Sequence, residues 1–232
     1  AMRAHSFESA FKFGRAAYIA GALGTGAIPA AARKYNLQPL TVSTKVYHAA
    51  IKSFPTEIQA MRTLAKLFPN MVDFMVDTYD FEEGVENTII VAKEMKSEGK
   101  KVNGITIDRG DLYQRAKYAR EKLDRAGLQE MTITLASNID EFIIEEFMKQ
   151  NVSANYFLGI TELITSSDDP KLEVVYKLAE TREGEKIHYT AKLAQGKESY
   201  PGIKQVFRTY ADGIISTDII GLEEEKLGEP LL

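Results

Sequence analysis

Several polar residues sit where apolar runs give out: His48, Asp77, Asp80, Asp108, Asp111, Ser137, Asn138 and Thr161. Carboxylates gathered on one rim suit a phosphate ester chelated to Mg²⁺, or the hydroxyls of a ribose. A histidine among them can serve as acid, base or nucleophile.

The elements that must position these residues repeat. Residues 72–76 stop on Asp77-Thr78-Tyr79-Asp80, residues 105–107 on Asp108-Arg109-Gly110-Asp111, and residues 132–136 on Ser137-Asn138-Ile139-Asp140. Helical spacing follows each run: Val85, Ile89, Ala92 and Met95 after the first, Leu112, Ala116, Ala119 and Leu123 after the second, Ile143 and Phe147 after the third. A further short strand over residues 155–158 ends near Gly159-Ile160-Thr161. Such βα repeats make a parallel sheet, as a βα barrel or an open sheet, and ligands sit at the carboxyl ends of its strands.

Ahead of the repeats, residues 7–35 read as helical, with Phe11, Arg15, Tyr18 and Ala22 on one face and a second helix able to begin at Pro29. Residues 40–43 read as a strand leading to His48, and a helix carries Ile58, Met61, Leu64 and Phe68. Beyond residue 170 the pattern turns to strands, over 173–179, 187–193 and 205–210, with turns at Gly184, Gly196 and Pro201-Gly202. The expectation is an α/β chain: an irregular, incomplete βα barrel (TIM-like) over residues 1–172 and a small β-rich module over 173–232. The final residues bring no closing element, which reads as a truncated end, and Ala1 before Met2 reads as an addition to a start.

With 232 residues, 44% of them hydrophobic, the chain can bury a real core. A net charge of −4 argues against a nucleic-acid surface, which needs a concentrated basic face. The absence of cysteine removes disulfides and thiolate metal sites. No apolar stretch nears the roughly 20 residues that span a bilayer.

Further motifs accompany the strand ends. Arg3-Ala4-His5, Ala17-Tyr18-Ile19-Ala20-Gly21 with Gly24-Thr25, Val76-Asp77-Thr78-Tyr79-Asp80, Ile107-Asp108 with Gly110-Asp111-Leu112, Ala136-Ser137-Asn138, Thr165-Ser166-Ser167-Asp168, Val175-Tyr176-Lys177-Leu178 and Lys204-Gln205-Val206-Phe207-Arg208 occur in this order. Together they resemble the nicotinate phosphoribosyltransferase family over nearly the whole chain. That resemblance implies a type II phosphoribosyltransferase fold and a cytoplasmic enzyme of NAD salvage. It would join nicotinate to phosphoribosyl pyrophosphate, releasing nicotinate mononucleotide and pyrophosphate. Mg²⁺ would accompany phosphoribosyl pyrophosphate, ATP would be a co-substrate, and the active form would be a homodimer.

By the same resemblance His48 falls on the histidine phosphorylated by ATP, and Asp108 on the acid that meets the ribose hydroxyls. Asp77 and Asp111, in the matching strand-tip motifs, are implied to bind substrate. Ser137, Asn138, Gly159 and Thr161 fall on the tips that hold ribose and 5′-phosphate. Arg3 and Thr25 fall on segments that meet the ligands. Some positions depart from the family pattern. Thr106 replaces an arginine that holds the pyridine carboxylate, and Arg109 replaces a serine and can restore that charge. Leu158 and Ile160 replace the first and second glycines of the phosphate loop. The family's N-terminal segment, with its aromatic contacts to the pyridine, has no counterpart, which reads as a fragment or as a short divergent relative.

Plainer roles stand beside these. Asp77, Asp80, Asp108 and Asp111 are also good helix caps, Asn138 a turn former, and Lys204 and Arg208 strand-edge charges. Two competing functions remain: a non-catalytic binding protein or subunit that kept the fold, and a Schiff-base barrel enzyme using Lys45 or Lys177.

Overall fold

The computed structural model describes residues 4–24, 33–36, 44–159, 161–163, 176–192 and 198–230, with the side chains of Thr44 and Lys45 outside that description. Two compact units divide the chain, residues 1–174 and 175–232.

In the first unit, α1 (Phe7–Ile19) precedes β1 (Thr44–Val46), α2 (His48–Lys52) and α3 (Glu57–Leu67). Then strands and helices alternate: β2 (Val72–Met75), α4 (Phe81–Ser97), β3 (Gly104–Ile107), α5 (Leu112–Arg125), β4 (Thr132–Leu135), α6 (Glu141–Lys149) and β5 (Tyr156–Phe157). All five strands are parallel, in the order β1-β2-β3-β4-β5. Register pairs Asp73 with Gly104, Gly104 with Thr132, and Thr134 with Tyr156. No pairing joins β1 to β5 among the described residues, so the sheet is open there and the expected barrel is not closed.

Successive side chains of a strand point to opposite faces, and here the two faces differ in chemistry. Val72, Phe74 and Val76 of the β2 run, Ile105 and Ile107 of β3, and Ile133 and Leu135 of β4 enter the hydrophobic core with Met61, Val85, Ala92, Ala116 and Leu123 from the helices. The opposite set is Asp73, Met75 and Asp77, then Gly104, Thr106 and Asp108, then Thr132 and Thr134. Apart from Met75 these are small or polar, yet Asp73, Asp77, Thr106 and Thr134 are buried too.

Each βα turn is built by its own cap. Asp80 Oδ1 accepts from the Glu83 N–H, Asp111 Oδ1 from the Gln114 N–H and Asp140 Oδ1 from the Ile143 N–H, at 2.9, 3.0 and 2.8 Å. These bonds satisfy donors that a helix start leaves open. At α4 the approach is closer still: a Cβ on Gly84 would overlap the carbonyl of Val76, so only glycine fits.

The long N-terminal helix is shorter than its sequence suggests. α1 ends at Ile19, and Gly21 adopts φ 87°, a left-handed conformation that stops helices. The strand expected over 40–43 and the helix start at Pro29 lie outside the described residues.

In the second unit, residues 176–179 carry no strand, and the first strands are β6 (Glu180–Glu183) and β7 (Lys186–Tyr189), paired across Gly184. β8 (Lys204–Ala211) lies between β9 (Ile214–Leu222) and β10 (Glu229–Pro230) in an antiparallel sheet. Strand β9 was not anticipated. Its signal is Asp212-Gly213, where φ of 51° and 76° makes a tight hairpin turn.

Candidate functional site

The ladder of the parallel sheet runs on past the strands. Val76 N–H donates to Thr106 O (3.2 Å), Ala136 N–H to Ile107 O (2.8 Å) and Leu158 N–H to Leu135 O (2.8 Å). Those bonds carry Asp77, Asp108, Ser137 and Gly159 to the ends of neighbouring strands.

His48 opens α2 directly after β1, with its side chain 15% exposed. Its Nδ1 lies 2.9 Å from Thr78 Oγ1. The Thr78 hydroxyl donates to Met75 O at 3.3 Å, so its oxygen is placed to accept from a protonated Nδ1. That tautomer leaves Nε2 facing two carboxylates, 3.6 Å from Asp108 Oδ2 and 3.8 Å from Asp77 Oδ1. Both distances are too long for hydrogen bonds but short enough for charges to act on the ring. Asp77 is itself pinned, because its Oδ2 accepts the Asp108 backbone N–H at 2.8 Å.

The arrangement is thus an imidazole aimed by a hydroxyl, with Nε2 before a pair of acids held in register. It can take a proton or bond an electrophile at Nε2, while the acids stabilise the positive charge that develops on the ring.

The contacts join His48, Asp77 and Asp108. Arg109 follows Asp108 and is buried at 7% exposure. Arg115 donates from Nη1 to the Arg109 carbonyl at 3.0 Å and lies over the Phe81 ring, 4.7 Å from its centroid. Asp111 is exposed and caps α5. Ser137 holds φ 95°, an unusual conformation for a residue other than glycine, at the β4 tip, and Asn138 beside it is exposed. Gly159 and Thr161 are half-buried, and a Cβ on Gly159 would meet only the flexible Leu163 side chain. Arg3 and Thr25 lie outside the described residues.

Two functional candidates escaped the sequence. Thr78 reads as part of a turn and reveals its role only through a contact spanning 30 residues. Glu57 reads as a favourable acid at a helix start, but the fold buries it. A cleft lined by Asp73, Lys101, Asn103, Glu130, Thr132 and Tyr156 lies at the opposite, amino-terminal ends of the strands. No group of three or more His, Cys, Asp or Glu able to hold a metal ion forms among the described residues.

Fold and site together define an α/β protein with a parallel sheet and a histidine–dicarboxylate centre at the strand tips. The relatives make this specific. The chain is 35% identical over 233 residues to a nicotinate phosphoribosyltransferase of Mycobacterium tuberculosis, covering 100% of this chain and 48% of that protein. It is 33% identical over 234 residues to the nicotinate phosphoribosyltransferase of Bacillus subtilis, covering 98% and 46%. The chain is therefore homologous along its whole length to members of the nicotinate phosphoribosyltransferase family, and it spans about half the length of the relatives it matches.

Among solved structures, a nicotinate phosphoribosyltransferase from Vibrio cholerae aligns with TM-score 0.56 at 14% identity, covering 71% of this chain and 40% of that one. A nicotinate-nucleotide pyrophosphorylase from Pyrococcus furiosus aligns with TM-score 0.54 at 17% identity, covering 95% and 51%. Both support the fold. No protein-family model matches the chain, and no described helix is long and apolar enough to cross a membrane.

Proposed function

We propose that this chain carries the strand-tip half of a nicotinate phosphoribosyltransferase. The observation that carries the reading is the placement of His48, with Nδ1 on Thr78 and Nε2 before Asp77 and Asp108.

The reaction forms a bond from the nicotinate ring nitrogen to C1 of phosphoribosyl pyrophosphate, and the bond from C1 to pyrophosphate breaks. Positive charge gathers on the ribose as the leaving group departs, and the Asp108 and Asp77 carboxylates lie on the rim where they stabilise it. Asp108 takes the ribose hydroxyls, and Ser137, Asn138, Gly159 and Thr161 take ribose and 5′-phosphate. Arg109, beside Asp108, supplies the positive charge that meets the nicotinate carboxylate, with Arg3 and Thr25 completing the anionic subsites. Asp111, at the cap of α5, joins Asp77 in binding substrate. Mg²⁺ belongs to the substrate, bound mainly by phosphate oxygens and water.

Coupling to ATP runs through Nε2 of His48. It attacks the terminal phosphorus, a nitrogen–phosphorus bond forms, and ADP leaves. Later hydrolysis of that bond returns the histidine and releases phosphate. In the whole protein the open sheet forms part of an irregular βα barrel, and two copies make a cytoplasmic dimer.

The test incubates folded protein with nicotinate, phosphoribosyl pyrophosphate, Mg²⁺ and ATP. Nicotinate mononucleotide and pyrophosphate should appear in equal amounts, and no product from folded full-length protein would overturn the reading. Light scattering on the same sample reports the dimer.

A further inference from the structure

Arg115 lies one turn into α5, and its side chain turns back toward the strand tips. Side chains of a helix lean toward its amino terminus, which brings this one over the turn that precedes the helix. There Nη1 donates to the Arg109 carbonyl at 3.0 Å. Gly110 leaves room for the guanidinium: its φ is 68°, and a Cβ on it would come within 2.7 Å of the Arg115 Cζ. The Arg109 peptide follows Asp108 directly, so this contact fixes the chain just beyond the acid that faces His48.

The same guanidinium reaches the neighbouring loop. Its Cζ lies 4.7 Å from the centroid of the Phe81 ring, the distance of a cation over an aromatic face. Phe81 is the first residue of α4 and follows Asp80, which closes the loop that carries Asp77 and Thr78. The ring is buried, and Tyr118 of α5 packs against it at 5.6 Å between centroids, with the Tyr118 hydroxyl donating to Glu82 Oε2 at 3.2 Å. Arg115 is therefore bonded to one acid-bearing loop and laid over the other. A planar fork can do both at once, while a lysine ammonium offers a point charge and no flat face.

Two ties thus join the loops. One runs directly, from the Asp108 N–H to Asp77 Oδ2 at 2.8 Å, and the other runs through Arg115. The places of the two carboxylates, 3.6 and 3.8 Å from Nε2 of His48, depend on how the loops are set against each other.

We propose that Arg115 is a positioning residue of the strand-tip site: by clamping the Arg109 peptide to the Phe81 ring it sets the β3 tip against the β2 tip, and so holds Asp108 and Asp77 before His48. Its effect on phosphoribosyl transfer rests on the function proposed above; its hold on the two loops does not.

Arg115→Met keeps the reach of the side chain and removes the fork. In the full chain, hydrogen exchange at the Asp108 amide should quicken by about tenfold. The His48 ring signals, followed by proton NMR beside those of His5 and His188, should shift. Exchange at Ile105 and Ile107, in the core behind the tip, should change far less. Phe81→Leu, which removes the ring and keeps an apolar side chain, should give the same pattern. The double variant should go little further than either single one, because both break one bridge. Arg115→Lys, which can still donate to the carbonyl, should recover part of the protection. In transfer assays kcat should fall by up to roughly 10²-fold in Arg115→Met, with KM for nicotinate little changed.

An Asp108 amide and His48 signals that stay unchanged in a folded Arg115→Met chain would overturn the proposal. So would exchange that quickens as much at Ile105 and Ile107 as at Asp108, since Arg115 would then only support the fold. If the local pattern appears but no folded chain transfers phosphoribosyl, the clamp stands and the proposed function falls. If Arg115→Met transfers as well as the wild type, with its signals unmoved, the function stands and the clamp falls.

Discussion

The two units of this chain are stabilised by different means. In the first, the buried apolar cluster runs from Val46 to Ile139 and joins four strands to their helices. In the second, Phe207 is the one buried hydrophobic side chain among the described residues, while Ile214, Ile215 and Ile220 of β9 are 72%, 53% and 61% exposed. That unit rests on its strand ladders and on cross-strand pairs such as Arg208–Asp218, whose two hydrogen bonds are both 2.8 Å. The difference teaches where accurate geometry is possible. A catalytic constellation must be held to within about half an ångström, and only the sheet with a packed core behind it offers that.

The contrast can be broken or sharpened by experiment. The largest effect belongs to His48→Ala, expected to abolish phosphorylation of the protein by ATP and with it the ATP-dependent gain in phosphoribosyl transfer; labelling with γ-phosphate-labelled ATP beside calorimetry would separate lost chemistry from a lost fold. Next comes Phe74→Ala, which removes a ring with no exposure from the first unit and should cost about 3–5 kcal/mol in urea unfolding. Gly84→Ala should cost about 1–3 kcal/mol or more, since the added methyl meets backbone.

Glu57→Gln acts through pH. The folded state binds the Glu57 proton more tightly than the unfolded chain does. Protonation therefore supports the fold fully below its ordinary value of 4.5, and that support is lost as pH rises through about 7. The variant should outlast the wild type in thermal melts above neutral pH and lose the advantage in acid. The smallest change is Arg208→Ala in the second unit, worth about 0.2–1 kcal/mol at an exposed pair. Hydrogen exchange gives the comparison directly: amides of β3 and β4 should outlast those of β8 and β9.

The elements of the first unit were legible because two periods announce them, apolar runs for buried strands and helical spacing for their covers. The tips were legible too, since a polar cluster after an apolar run marks a strand's end. The pairing of His48 with Thr78 was not, because it depends on how two strand ends meet across 30 residues. Glu57 was hidden for a related reason: an acid in a first helical turn looks solvated until another helix covers it. β9 was missed because its apolar residues come in pairs, Ile214-Ile215 and Ile219-Ile220 around Ser216-Thr217-Asp218, and do not alternate, so only the turn residues betray the hairpin. The roles of Asp80 and Asp111 divide along the same line, for both cap helices, which spacing alone predicts.

The loop carrying Asp77 and Thr78 is clamped at both ends, by the Val76 amide on Thr106 and by Gly84 seated against the Val76 carbonyl. A span this short, fastened through both backbone groups of one residue, behaves as a stiff bracket. It has little length to give when a ligand arrives, so the entropy of ordering is met during folding and not at each encounter. Ligands that need the acids moved apart would then be refused by the backbone, whatever contacts their own groups could make.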